Sequence, residues 1–283
     1  MEPSTLYLSL FGVGTTLGLL LLLRLGQRLF SRSLAQDLSQ GNAAKSLLQV
    51  GQVLAIFLVA SSTVKGVARG ADLQRDVLWV AAFGVAGLAL VMLTGHLGVR
   101  LLLRARLPAE VERGNVAAGV AAGAHYVATG IITARALGGD NLRELGLSVA
   151  FFTIAELTLL CFVTLFRVLT TYDDAEQIQG ENLAASLSYA GVSIAISVIV
   201  ARALEGDFVS WSASLRSYGA VLLSLLALYP ARQILVQVVL LGAPFTLRGG
   251  RLDEGVAKER DAALGTLEAV TYLAVALSIA QLL

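Results

Sequence analysis

Charge is scarce in this chain. Asp, Glu, Lys and Arg make up 14% of 283 residues, against about 25% in a soluble domain. Too few polar side chains remain to cover a water-soluble globule, so the bilayer is the solvent for most of the chain. A disordered segment and a nucleic-acid binder are excluded on the same ground; the basic residues are spread out and form no patch. Cys161 is the only cysteine, so no intrachain disulfide forms and no multi-cysteine metal site exists. There are two histidines, no His-Glu-x-x-His, no phosphate-binding Gly-rich loop and no Gly-x-Ser-x-Gly elbow. Haem ligation would rest on His96 or His125 with no supporting motif. The sequence therefore calls for no cofactor, no metal and no catalytic residue, and the protein is expected not to be an enzyme. Lys and Arg are missing from Met1 to Leu10 as well, so the first apolar run reads as a retained helix rather than a signal peptide.

What the chain does have is apolar length. Eight runs approach or exceed the roughly 20 residues that cross a bilayer as a helix. They span Leu6 to Phe30, Ala43 to Val64, Val77 to Leu103, Asn115 to Ala134, Leu145 to Val168, Leu183 to Val200, Ser214 to Leu241 and Ala262 to Leu283. Backbone groups in lipid must pair internally, and the alternation of a barrel strand is absent, so these are helices. The fold class is all-α, a polytopic membrane helix bundle. The run from Leu183 to Val200 is short and needs its flanks to finish the crossing. Pro230 in the seventh run removes the hydrogen bond to the Leu226 carbonyl and predicts a kink.

The connections after helices one, three, five and seven, with their helix ends, hold fourteen Lys and Arg residues; the opposite side holds seven. Arg24, Arg28, Arg32, Lys45, Arg106, Arg232 and Arg248 are among the fourteen. The excess places these connections in the cytoplasm and both termini outside.

The chain also repeats itself. Ala134-Arg135-Ala136-Leu137-Gly138-Gly139-Asp140 and Ala201-Arg202-Ala203-Leu204-Glu205-Gly206-Asp207 agree at six of seven positions, 67 residues apart. Asn42, Asn115, Asn182 and Asp261 each open a small-residue helix at intervals of 73, 67 and 79 residues. Four hairpin units follow: 1–70, 71–140, 141–207 and 208–283. Each has two helices, so the units enter the membrane from the same side and are parallel, not inverted.

An acidic elbow, then Gly-Asn-x-Ala, then a helix rich in Gly and Ala, in tandem hairpins, resembles the bacterial domain-of-unknown-function 350 family, the YjfL-like membrane proteins. The resemblance covers essentially the whole chain. The fourth unit departs from it, with Asp261 for Asn and Glu259-Arg260 before it. Members are typically shorter, so this chain looks like a duplicated version. The resemblance implies an inner-membrane location and no established activity.

Several residues carry both a structural and a functional reading. Asn42, Asn115, Asn182 and Asp261 fit helix N-caps, or a polar ring at one depth around a vestibule. Gly119, Gly123 and Gly130 fit close helix packing, or a pore wall. Arg135 and Arg202 suit helix C-termini, with stems reaching the headgroups and Asp140 and Asp207 as partners; alternatively they attract anions to a mouth. Glu156 lies near the middle of the fifth helix, where an ionisable group is a functional hypothesis by default. His125 lies 14 residues before Gly139 and Glu156 lies 17 after it, so their depths differ by only about 5 Å. They are expected to hydrogen-bond across the hairpin. Glu268, two turns into the eighth helix, is expected to approach the cytoplasmic interface.

Midplane ionisable groups and parallel repeats point to a channel or transporter for a small solute or ion. The small-residue faces point instead to a scaffold or accessory subunit, packing against lipid, a second copy or a membrane-protein partner. Orientation can be measured at once. In a Cys161→Ser background, a cysteine at Ser4 should react with an impermeant reagent in intact cells and one at Gly249 should not; the reverse pattern would overturn the assignment.

Overall fold

The structure, a computed structural model, describes residues 5–30, 41–104 and 107–283. Ser4, Arg32, Arg106 and the side chain of Arg28, used above for orientation, lie outside the described residues. Eight helices are long and apolar enough to cross a membrane. They are α1 (Thr5–Phe30), α2 (Ala43–Val67), α3 (Leu73–Leu103), α4 (Val116–Ala136), α5 (Leu142–Leu169), α6 (Leu183–Ala203), α7 (Trp211–Leu240) and α8 (Ala262–Leu282). With Ala201 to Ala203 added, the short sixth run forms a 21-residue helix, long enough to cross. In α7, Leu223–Ala227 tightens into a 3-10 turn and Gln233–Leu240 widens into a π-helix around Pro230. The predicted kink is thus a redistribution of hydrogen-bond spacing about the missing proline N–H.

The even helices form a row in the order α2, α4, α6, α8, and the odd helices pack around it. The reason is side-chain size. A Cβ on Gly51 would sit inside the Gly123 backbone, and one on Gly119 would meet the Ala44 backbone. Further along, Gly191 meets Ala269, and Gly265 meets the Ala184 backbone. Lipid tails are as apolar as Leu, so the gain comes from backbone-to-backbone van der Waals contact, which only small residues allow. The Leu-rich α1 shows the converse: Leu6, Leu10, Leu17 and Leu21 are all exposed toward lipid. α4 and α6 are the most enclosed helices. Not all even helices are interior: α8 ends the row and leaves Val270 and Leu277 exposed.

The recurrent anchors tie the units together. Asn42 accepts from Lys45 N at 3.0 Å, Asn115 from Ala118 N at 3.1 Å and Asn182 from Ala185 N at 3.3 Å. Asp261 accepts from Ala263 N and Leu264 N. All four are N-caps. Each Asn also donates from Nδ2 to the next unit: Asn42 to Val111 O at 2.8 Å, Asn115 to Ile178 O at 2.9 Å and Asn182 to Val256 O at 2.9 Å. These carbonyls belong to short elbow helices, Leu107–Glu112, Asp174–Gln179 and Arg251–Ala257, which lie before the next anchor. The preceding residue is left-handed each time: Gly41, Gly114, Glu181 and Arg260. We call this side of the molecule the elbow face, and the other side the turn face.

The bond from Nδ2 explains why three anchors are Asn, since an Asp carboxylate cannot donate. Asn182→Asp should therefore lower the detergent-solubilised melting temperature, by about 1–3 kcal/mol in stability for a buried acceptor left unpaired. Asp261→Asn should change it little. Equal effects of the two substitutions in a thermal melt would refute the linkage.

Candidate functional site

Two polar clusters lie within the membrane-spanning helices. The first joins α4, α5 and α6. Glu156 is buried on the face of α5 that also carries Ser148, Phe152, Leu159 and Val163. Its Oε1 accepts from Thr129 Oγ1 at 3.1 Å, and His125 Nε2 stands 3.8 Å away. The expected meeting of His125 with Glu156 therefore occurs, but as proximity and not as the expected hydrogen bond; Thr129, one turn along α4 from His125, takes that place. Tyr189 Oη of α6 is 3.5 Å from His125 Nδ1. Among the described residues, His125 Nε2 and Glu156 Oε2 have no hydrogen-bond partner. Gly98 of α3 faces the imidazole and leaves no room there for a Cβ.

The second cluster corrects one expectation. Glu268 is fully buried, and its Oε1 accepts from Arg232 Nε at 2.7 Å. Arg232 is not a topology signal in a connection: it is enclosed in α7, and its Nη2 donates to Asp253 Oδ1 at 2.7 Å. Its guanidinium also lies over the Tyr229 ring, 5.3 Å from the centroid. Asp253, on the last elbow helix, accepts from Thr171 N at 2.9 Å. One cation is set against two carboxylates, and Arg232 Nη1 and Glu268 Oε2 remain unpaired among the described residues. The sequence offered one cue to this cluster, Arg232 two residues beyond Pro230 within an apolar run.

Clefts open at both ends of α5. At the turn face one of about 800 Å³ is lined by Arg69, Arg135, Arg143, Ser148, Glu205 and Tyr218, among others. The outer-end arginines are tied differently from expectation. Arg135 pairs with Glu205 at 2.8 Å, Arg202 also pairs with Glu205, and Asp140 pairs with Arg75 at 3.3 Å. For Arg135 the acid comes from the neighbouring turn, and for Arg202 it lies three residues along its own, nearer than Asp207. At the elbow face a cleft of about 400 Å³ is lined by Arg104, Arg167, Tyr172, Asp173 and Arg248, among others. Behind it, Arg167 Nε contacts Asp174 Oδ2 at 3.0 Å. Burial pushes the Asp174 carboxyl up to about 7, against the opposing pull of Arg167 and with Glu268 and Asp173 adding to the rise. Burial likewise holds the Tyr172 phenol well above its ordinary value, reinforced by Glu268.

The sequence pattern of the family described as Domain of Unknown Function (DUF350) matches residues 2–137 and again residues 140–283. The chain belongs to this family. It carries two copies, α1 to α4 and α5 to α8, and each copy contains two of the hairpin units. No curated protein and no solved structure matches the chain. The contacts respect the duplication: Gly119 on Ala44 in the first DUF350 copy corresponds to Gly265 on Ala184 in the second. The α4–α6 seam is the junction between copies. His125 and Thr129 come from the first copy, and Glu156 and Tyr189 from the second.

The Arg232 cluster makes a stability prediction. Arg232→Met leaves two buried carboxylates without their cation and should cost about 3–5 kcal/mol. Combination with Glu268→Gln, which removes one orphaned charge, should restore part of the loss. A single substitution that leaves the melting temperature unchanged would contradict the pairing.

Proposed function

We propose that the protein is a transport protein of the bacterial inner membrane for a small solute or ion, with Glu156 and His125 as its intramembrane site. The observation that carries this reading is their position. A buried acid and imidazole, each with an unpaired atom, meet deep in the helix row at the junction of two homologous copies. Binding sites in repeat-built transporters lie at such junctions, and ionisable groups in membrane helices are costly unless used. The cleft at the turn face supplies the mouth, above Ser148. Ser148 lies eight residues, or about 12 Å, from Glu156 along α5. The arginine excess supports an elbow face in the cytoplasm, with both termini outside. No covalent step is required, which agrees with the absence of nucleophile and cofactor motifs from the sequence.

A second reading is a non-transporting accessory subunit or scaffold for another membrane protein or a second copy. It is favoured by the inner seams, where backbones touch at Gly51 and Gly123 and leave no lumen between α2 and α4.

Purified protein in planar bilayers or liposomes separates the two. Wild type should conduct in KCl or release an entrapped small solute. Glu156→Gln should reduce that activity several-fold while keeping the fold, and Glu254→Gln, an exposed acid on the last elbow helix, should leave it unchanged. Protein that folds in the bilayer and moves neither ions nor solute would favour the accessory role.

A further inference from the structure

We propose that the elbow cleft between α3 and α5 binds an anionic phospholipid, its phosphate set against Arg248 and Arg104 and its acyl chains lying along the outer faces of the two helices. The site is separate from Glu156 and His125 and stands whether or not the protein transports anything. Its charge is the first observation. The cleft is lined by arginines from three parts of the chain: Arg104 at the end of α3, Arg167 in the last turn of α5 and Arg248 in the loop before the last elbow helix. One lining residue is acidic, Asp173. It pairs with Arg104 at 3.2 Å and with Arg167 at 3.4 Å, and Arg167 also meets Asp174 behind the cleft at 3.0 Å. Arg248 pairs with no carboxylate among the described residues; its Nε reaches the Thr170 carbonyl at 3.4 Å. Three cations thus meet two acids, and the one left over matches the single negative charge of a phosphodiester.

The second observation is how Arg248 is held. Arg104 and Arg167 stand where a cation ordinarily offsets a helix C-terminus, but Arg248 serves no helix end. Its loop is fixed from both sides. Gln237 Nε2 donates to Pro244 O at 2.8 Å and to Thr246 Oγ1 at 2.6 Å, and Thr246 Oγ1 donates to Gly249 O at 2.9 Å. Gly249 takes a positive φ, and a Cβ there would press on the Thr171 side chain, so the loop lies directly against the end of α5.

The third observation is what lies deeper in the membrane. Leu101 of α3 and Val168 of α5 also line the cleft, and they are 67% and 63% exposed. Leu97 shares the face of Leu101 one turn further in, and Thr164 and Cys161 share that of Val168; all three are exposed. A cationic recess that opens onto an exposed, mostly apolar strip fits a headgroup with chains rather than a free anion. Basic pockets between membrane helices recognise anionic headgroups in this way, and guanidinium groups match phosphate oxygens with paired donors.

Thermal melts of the full chain, delipidated in a neutral detergent, test the site. Phosphatidylglycerol should raise the melting temperature in a saturable manner. Phosphatidylcholine with the same acyl chains brings a cation of its own and should raise it far less. Arg248→Gln removes one charge and one long backbone hydrogen bond, so without lipid it should melt like wild type. About tenfold more phosphatidylglycerol should then be needed for half the rise, the effect of losing one charge-assisted hydrogen bond. Lys258→Gln, an equal loss of charge at an exposed position outside the cleft, should respond as wild type. Should Arg248→Gln melt lower without lipid, Arg104→Gln, at a well-exposed side chain, makes the same test. Equal responses to the two lipids, or a response that neither arginine substitution weakens, would overturn the site. A rise of the same size with inorganic phosphate at the same concentration would assign the cleft to a free anion and overturn the lipid.

Discussion

The fold depends on how closely two helix backbones can approach inside lipid. With no water to expel, association must be won from contact itself. Contact is greatest where the side chain is a hydrogen atom or a methyl group. Gly51 against Gly123 and Gly191 against Ala269 bring the inner helices together. Everything else is placed by that row. The bulky odd helices are turned outward because their leucines would hold backbones apart. Each of the three elbow helices is hydrogen-bonded to the anchor of the unit before it.

The same economy of space makes the polar residues conspicuous. A row sealed by Gly and Ala has no slack for hydration, so each polar side chain must find its partners within the protein. Arg232 is held by ion pairs to two carboxylates and by an aromatic face, with Nη1 left unpaired among the described residues. Glu156 and His125 have no permanent opposite charge against them: Glu156 meets Thr129 and the imidazole, and each keeps a buried atom without a partner among the described residues. The two clusters also differ in origin. The Arg232 cluster is assembled within the second family copy, whereas the first bridges both copies. A lone copy could not build it from these residues.

Much of the architecture was legible in the sequence. Eight apolar runs gave eight helices, because hydropathy and length suffice when all backbone bonds are local. The duplicated Ala-Arg-Ala-Leu run and the spaced Asn residues gave the repeat. The site was only half legible. Depth counting brought His125 to Glu156, since a helix advances by a fixed rise, but it could not supply rotation about the axis, so Thr129 was missed as the hydrogen-bond donor. Tyr189 was harder still. It lies seven residues after its anchor, a position filled by Ala122 in the second unit, so repeat identity hides it. Arg232 misled because an arginine near a span end ordinarily marks the interface. Here the helix continues beyond it for another two turns, past a proline that would often stop one.

Asp261 has a consequence for assembly. Contacts that run head to tail without closing can continue indefinitely, and α2, α4, α6 and α8 are joined in that way. A fifth unit, or the first unit of another molecule, would need an amide to hold its elbow. Asp261 has none. Nine residues on, where Gly51 and Gly191 admit a neighbouring backbone, Val270 projects a branched side chain. The exposed end of the row thus lacks both the donating amide and the glycine that join the units before it.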